Sequence, residues 1–214
     1  KGIKKKNLQL VGGKPLIART IDTARESQLI NRIIVSTDDK EIARVTKEHK
    51  AEVFDRSEKL SNDEATSEDV LLDVLDNLKH NENYVPDITV FLQCTSPFTI
   101  MEDIDGTIYS LINNNTDSAF SATDFKHFLW MRNNSCKMVG INHNENIGRK
   151  PRQDLPLQHL ETGSVYVFLT AGFLKYKNRF FGNISIYSIP DNRVFEIDTQ
   201  FELEMANQIE KLMN

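Results

Sequence analysis

An α/β fold, with a mostly parallel sheet covered by helices on both faces in three layers, is predicted for this 214-residue chain by three observations. Short apolar runs rich in β-branched residues alternate with helical patterns of about a dozen residues, the signature of βαβ units. The runs end in polar residues, as strands do when a ligand lies at their carboxyl ends. After residue 124 the alternation stops and strand patterns dominate, which predicts a smaller β-rich excursion beside the sheet.

In order, "PLIARTIDTARESQ" reads as a helix with Pro15 at a favourable first-turn position, and "RIIVSTDD" as a short strand. "KEIARVTKEHK" is helical and "AEVFDR" a short strand. In "EATSEDVLLDVLDNLK", Val70, Leu71, Val74, Leu75 and Leu78 share one helical face. "DITVFLQ" is a strongly apolar strand, "MEDIDGTIYSLINNN" a helix and "DSAFSAT" a strand. "CKMVGI", "GSVYVFL" and "NISIYSI" follow as strands without helices between them. The chain then returns through "RVFEIDT" to a last helix, core-packed through Phe201, Met205, Ile209 and Leu212. The expected organisation is a core over 1–124, an excursion over 125–190, and a return strand and helix over 191–214.

Hydrophobic residues make up 39% and charged residues 27%, with nine glycines and six prolines, as in a chain that folds around a core. No apolar run approaches the roughly 20 residues of a membrane span, and no signal-peptide pattern follows the opening lysines. Cys94 and Cys136 are too few for a disulfide framework. A cytoplasmic protein without a membrane partner is expected. The net charge of −5 argues against nucleic acid as the main partner and makes any anion site a local feature.

The candidate chemistry lies in a few stretches. "KGIKKKNLQLVGGKP" puts four lysines in its first six residues, which suits either a phosphate-handling loop or a solvated basic segment, and Gly12-Gly13 suits a turn. In "FEIDT", Glu196 and Asp198 at spacing i, i+2 project from one face of a strand. Such a pair holds a hard divalent ion such as Mg2+, or stands as two solvated acids. Thr66 and Ser67 are placed to cap a helix. Arg152 in "PRQDLP" lies in a Pro-bracketed loop, as a carboxylate grip or part of a turn. In "RFFG", Phe180 and Phe181 would expose apolar surface on a monomer, so a partner interface competes with local packing. The histidines lack metal spacing, and Walker, nucleophile-elbow and dinucleotide fingerprints do not occur.

Together and in this order, "IIVSTDD", "AEVFDR", "LSNDEATSED", "LQCTSPF", "PRQDLP", "GSVYVF", "RFFG" and "EIDT" resemble segments of the acylneuraminate cytidylyltransferase family, the CMP-sialic acid synthetases and their relatives. "KGIKKKN…GGKPLIARTI" is similar to the second half of the family's opening motif, so the resemblance places a strand and a nucleotide-contacting arginine upstream of Lys1. It implies a Rossmann-like nucleotidyltransferase fold and transfer of CMP from CTP to the anomeric hydroxyl of a nine-carbon keto sugar acid, with release of pyrophosphate. By that resemblance Lys1 and Lys6 bind the triphosphate, while Asn7, Arg56, Ser67 and Gln93 line the nucleotide pocket. Glu196 and Asp198 hold Mg2+, and a metal-bound water and Asp198 are the alternatives for the base. Arg152 and Tyr166 border the sugar, and Phe180 and Phe181 belong to an aromatic pair that crosses a homodimer to complete the partner's sugar-binding site.

The chain also departs from the family pattern: Glu196 replaces an aspartate, Cys94 a proline, and Thr99 an arginine. Where N-acetylneuraminate enzymes carry Arg-Pro-Asn-Gly, this chain has "LETGS", with Leu160 and Thr162 at the arginine and asparagine positions. A related acid such as legionaminic acid fits about as well. The competing readings are a nucleotidyltransferase for an eight-carbon sugar acid, a non-catalytic nucleotide-binding module, and a plain structural α/β domain.

Overall fold

In the computed structural model, residues 3–62 and 64–213 are described, the side chain of Arg152 excepted. Strands β1 (Leu10–Val11) and β2 (Lys14–Pro15) form a hairpin whose two-residue turn is Gly12-Gly13. Both glycines have positive φ, 59° and 77°, as a primed turn demands. Helix α1 (Leu16–Glu26) follows, burying Leu16, Ile17, Ala18, Ile21 and Ala24.

Strand β3 (Ile34–Thr37), helix α2 (Lys40–Glu48) and strand β4 (Glu52–Asp55) make a parallel βαβ unit in which Ile34 lies opposite Glu52 and Thr37 opposite Asp55. Asp39 caps α2 by accepting from the backbone N–H groups of Glu41 and Ile42. Helix α3 (Ser67–Glu82), strand β5 (Ile88–Leu92), helix α4 (Met101–Asn113) and strand β6 (Ser118–Asp124) continue the alternation.

Beyond β6, strands β7 (Trp130–Arg132) and β8 (Met138–Gly140) form an antiparallel ribbon. Then come strand β9 (His159–Leu169), helix α5 (Thr170–Tyr176), strand β10 (Ile184–Ser188) and helix α6 (Gln200–Met213). The four-stranded sheet has the order β10-β6-β9-β5. Strands β5, β6 and β10 run one way, while β9 lies between β5 and β6 in the opposite sense, so strand direction is mostly parallel although two of the three pairings are antiparallel. The cause is connectivity: β9 enters from the β-rich segment rather than over a helical crossover.

The hydrophobic clusters explain the layering. Ala24, Ile104, Ile108 and Leu111 pack α1 and α4 against Ala119, Val165 and Val167 of the sheet. On the other side of β9, Phe168 joins Leu75 of α3, Phe173 of α5 and Phe181.

Four expectations are corrected. Helix α5 interrupts the run expected to hold only strands; it is short, and its Gly172 lets the Phe181 ring lie where a Cβ would stand 2.0 Å away. "RVFEIDT" forms no ladder: a 3-10 turn covers Asp191–Arg193, and the backbone beyond it makes a single bond to the β5–α4 loop, Ile197 N–H to the Thr95 carbonyl at 2.9 Å. Phe181 is only 9% exposed and stacks on Tyr176 at 5.4 Å, so the aromatic pair does not stand out from the surface. Helix α6 buries Leu203 and Ala206, while Phe201, Met205 and Leu212 are 69%, 40% and 87% exposed. Its rotation is set by Asn207, which donates to the Leu10 carbonyl at 2.9 Å and accepts from the Gly12 N–H at 3.2 Å. That lock turns the small Ala206 towards Val11, Leu16 and Ile197.

Candidate active site

Polar residues follow the carboxyl ends of β3, β4 and β5, the ends at which ligands of α/β sheets sit. Arg56 follows β4 and is held against β3, donating from Nη2 to the Ser36 carbonyl at 2.5 Å and from Nε to Ser36 Oγ at 3.2 Å. Gln93 follows β5, and its backbone N–H donates to the Ser164 carbonyl at 3.2 Å. Ser67 is the first residue of α3. Thr66, rather than Ser67, caps it, with Asp69 completing a capping box: Thr66 Oγ1 donates to Asp69 Oδ2 at 2.6 Å and accepts from the Asp69 N–H at 3.1 Å.

The two acids of "EIDT" are placed by three anchors. Arg193 pairs with the fully buried Asp103 at 2.6 Å and fixes the turn before them. Ile197 is fully buried between them and bonded to Thr95, which leaves Glu196 and Asp198 exposed on the outer side. Glu202 accepts from the N–H groups of Asp198 and Thr199 at 2.8 and 2.7 Å, and these two bonds, in that order, hold its carboxyl below the usual range. Lys6 reaches this edge from a 3-10 turn, Lys6–Leu8, that also holds the half-buried Asn7, and its Nζ lies 2.8 Å from Asp198 Oδ1. Thr95 Oγ1 donates to Glu196 Oε1 at 3.5 Å. A Cβ on Gly163 would stand 3.4 Å from Gln93 Oε1 and 3.6 Å from Glu196 Oε2, ordinary contact distances, so both side chains end beside this glycine. Gly163 has φ +71°, which favours glycine on its own account.

Next to this edge is an aromatic and charged group. Tyr166 stacks on Phe91 at 5.9 Å and meets Phe180 edge-on at 5.9 Å, and Phe180 meets Phe120 edge-on at 5.3 Å. Arg179 lies over the Tyr166 and Phe91 rings at 4.6 and 4.9 Å and donates to Glu68 Oε1 at 2.6 Å. The hydrogen bond from Arg179 holds the Glu68 carboxyl below its ordinary value. Tyr166 donates to Glu161, and burial followed by that bond pushes its phenol well above the usual tyrosine range.

The structure therefore brings together Gln93 with Glu196, Lys6 with Asp198, and Tyr166 with Phe180; Arg56 is tied to β3. Phe181 serves the cluster beneath α5. Lys1 and the side chain of Arg152 lie outside the described residues, although Arg152 opens a 3-10 turn, Arg152–Asp154. Reading the sequence missed Glu68, Glu161, Gly163 and Arg179. Signals pointed to two of them: Glu68 adjoins Ser67, and Arg179 precedes Phe180 in "RFFG".

Among the described residues, no group of three or more His, Cys, Asp or Glu side chains is arranged to hold a metal ion. Glu196 and Asp198 offer hard oxygen donors on one outward edge, the donor type that Mg2+ takes alongside water and phosphate oxygens. Among the described residues, no helix is long and apolar enough to cross a membrane.

Comparison with known proteins gives relatives over nearly the whole chain. A pseudaminic acid cytidylyltransferase of Campylobacter jejuni is 29% identical over 218 residues, covering 99% of this chain and 92% of that protein. An N-acylneuraminate cytidylyltransferase of Streptococcus agalactiae is 28% identical over 208 residues, of which this chain spans about half the length, 48%. Among solved structures, a 4-diphosphocytidyl-2C-methyl-D-erythritol synthase from Anaerococcus prevotii superposes over the whole chain and 95% of its own with a TM-score of 0.70 at 15% identity. A CMP:2-keto-3-deoxy-manno-octonic acid synthetase complexed with CTP does so over 93% of its chain with a TM-score of 0.68 at 16% identity. These two share the α/β fold. The family model described as Cytidylyltransferase matches residues 1–214, and the chain is a nucleotidyltransferase that belongs to the cytidylyltransferase family.

Proposed function

We propose that the protein transfers CMP from CTP to the anomeric hydroxyl of a sialic-acid-like nonulosonic acid, releasing pyrophosphate. The observation that carries this reading is one cation and two carboxylates on a single edge: Lys6 at 2.8 Å from Asp198, two residues beyond Glu196. Phosphoryl transfer asks little covalent chemistry of a protein; it asks for position and for charge balance as the leaving group departs. Lys6, with Lys1, takes the triphosphate, and Asn7, Arg56, Ser67 and Gln93 take the nucleotide. The sugar oxygen attacks the α-phosphorus, the bond to the β-phosphate oxygen breaks, and the hydroxyl proton leaves with a base.

Glu196 and Asp198 are the residues that would hold Mg2+, which when bound neutralises phosphate charge and lowers the pKa of the attacking hydroxyl. Tyr166 and Phe180 border the sugar, with Phe181 packed behind them and Arg152 on the sugar side. The relatives named for pseudaminic acid and for N-acylneuraminate support a nine-carbon keto acid as acceptor.

A homodimer completes the proposal. On the β-rich segment Trp130 and Met138, which share a face of the β7–β8 ribbon, are 44% and 52% exposed, apolar side chains of the kind a second copy covers. The cytoplasm, where CTP is made, is the proposed compartment. Titrating CTP calorimetrically and then assaying pyrophosphate release with Mg2+ and a panel of sialic, legionaminic and pseudaminic acids tests the reading. Binding with release on one of these acids supports it. CTP binding without turnover on any acid would sink it in favour of a binding module.

A further inference from the structure

We infer that Glu161 is a specificity-determining residue, whose carboxylate receives an N–H or O–H donor from a substituent of the acceptor sugar; the inference rests on the reaction proposed above. The starting observation is a fault in the ladder between β6 and β9. Phe120 lies opposite Tyr166, and a regular antiparallel ladder would then put Ser164 opposite Ala122, yet Glu161 is there. Three residues are thus looped out of β9, with Gly163 among them in the left-handed region. In a regular strand, residues five apart point to opposite faces. The bulge cancels that alternation and lets the Tyr166 hydroxyl donate to Glu161 Oε1.

The bulge is a built feature rather than a loose loop. Ser121, Thr162 and Ser164 are 1%, 6% and 4% exposed and bonded to one another: Ser121 Oγ lies 2.7 Å from Thr162 Oγ1 and 2.8 Å from Ser164 Oγ. Ser121 Oγ also accepts from the Val165 N–H at 3.1 Å, and Thr162 Oγ1 donates to the Ser121 carbonyl at 2.9 Å. Two of the three buried hydroxyls, those of Ser121 and Thr162, therefore satisfy backbone groups that the register shift disturbs.

The middle of the bulge is Gly163, beside Gln93 and Glu196, and its two shoulders are Glu161 and Tyr166. A sugar whose anomeric oxygen lies near Glu196 extends its substituents along the bulge towards Glu161. Glu161 is exposed, its bond from Tyr166 occupies Oε1, and Arg179 is already paired with Glu68. The oxygen of Glu161 not bonded to Tyr166 offers an acceptor, so it selects for a donor and against a substituent that lacks one.

The test uses the full chain and the sugar acid that the wild type turns over fastest, together with analogues each lacking one hydroxyl or acylamino group. Glu161→Gln keeps an acceptor for Tyr166 but turns an NH2 group to the sugar; Glu161→Ala removes both. The expected result is a KM for the sugar raised about tenfold or more in both variants, with KM for CTP nearly unchanged; the melting temperature should hold in Glu161→Gln and fall by a few degrees in Glu161→Ala, which leaves the Tyr166 hydroxyl without its acceptor. One analogue should lose about tenfold or more in kcat/KM with the wild type yet be scarcely distinguished by Glu161→Ala. Unchanged discrimination in the variants, or equal losses for CTP and sugar, overturns the assignment while leaving the reaction standing. A wild type that turns over no sugar acid overturns both.

Discussion

Breaking the Glu68–Arg179 pair tests whether the two halves of the site are fastened together. The side chains are 24% and 13% exposed and meet at 2.6 Å, so this ion pair is much better shielded than an exposed one, whose worth is about 0–1 kcal/mol. Glu68→Gln removes the charge opposite a cation that stays stacked on Tyr166 and Phe91, which costs about 2 kcal/mol on the scale of charge-assisted hydrogen bonds. Arg179→Met loses the same bond and roughly 0.5–1 kcal/mol more for each ring contact. A double-mutant cycle by urea unfolding at pH 7 should give a coupling energy of about 1.5 kcal/mol, with Glu68→Gln melting roughly 4–8 °C lower and Arg179→Met roughly 6–16 °C lower.

The pH dependence has a fixed sign. Because Arg179 lowers the folded-state pKa of Glu68, the coupling is fully present above the ordinary glutamate value and fades as pH falls through the folded value. A cycle at pH 7 that closes within about 0.3 kcal/mol of zero would refute the reasoning, because that is the additivity expected of residues that do not interact.

Three further outcomes are expected. Gly163→Ala should cost about 1–2 kcal/mol of stability from the left-handed φ of 71°, as unfolding curves would show. Leu203→Ala, at a position 6% exposed, should destabilise by about 2–4 kcal/mol, whereas Phe201→Ala, at 69%, should stay within about 0.5 kcal/mol of the wild type. The exposed Cys136 should be alkylated rapidly by iodoacetamide at pH 8, while Cys94, a half-buried residue whose thiol is pushed up to about 11 by burial, should react only on unfolding, as peptide mass mapping would show.

Much of the fold was legible because helices and strands of the first 124 residues carry their periods openly. Gly12-Gly13 announced a turn, and "TSED" a capped helix start. Helix α6 was misread because it has two apolar stripes, and the small Ala206, rather than the larger Phe201, is what close approach to β1 requires. The register of β9 was not legible either. A bulge held by Ser121, Thr162 and Ser164 depends on residues some forty positions apart, as the 2.7 Å contact between Ser121 and Thr162 illustrates, and no local pattern encodes it. Of the site, the acids of "EIDT", Lys6 and Gln93 could be marked from motif order. Glu161 could not, since its partner Tyr166 is supplied by the folded sheet.

The most direct test of the account is pyrophosphate release from CTP by Asp198→Asn beside the wild type, with the product identified by mass and by phosphorus NMR. The account predicts a CMP-sugar from the wild type. For the variant it predicts a kcat lower by roughly a hundredfold or more, with CTP still bound, because Asp198 serves the transition-state charge rather than nucleotide affinity. Turnover by the variant at the wild-type rate would contradict the placement of the reaction at the edge formed by Lys6, Glu196 and Asp198.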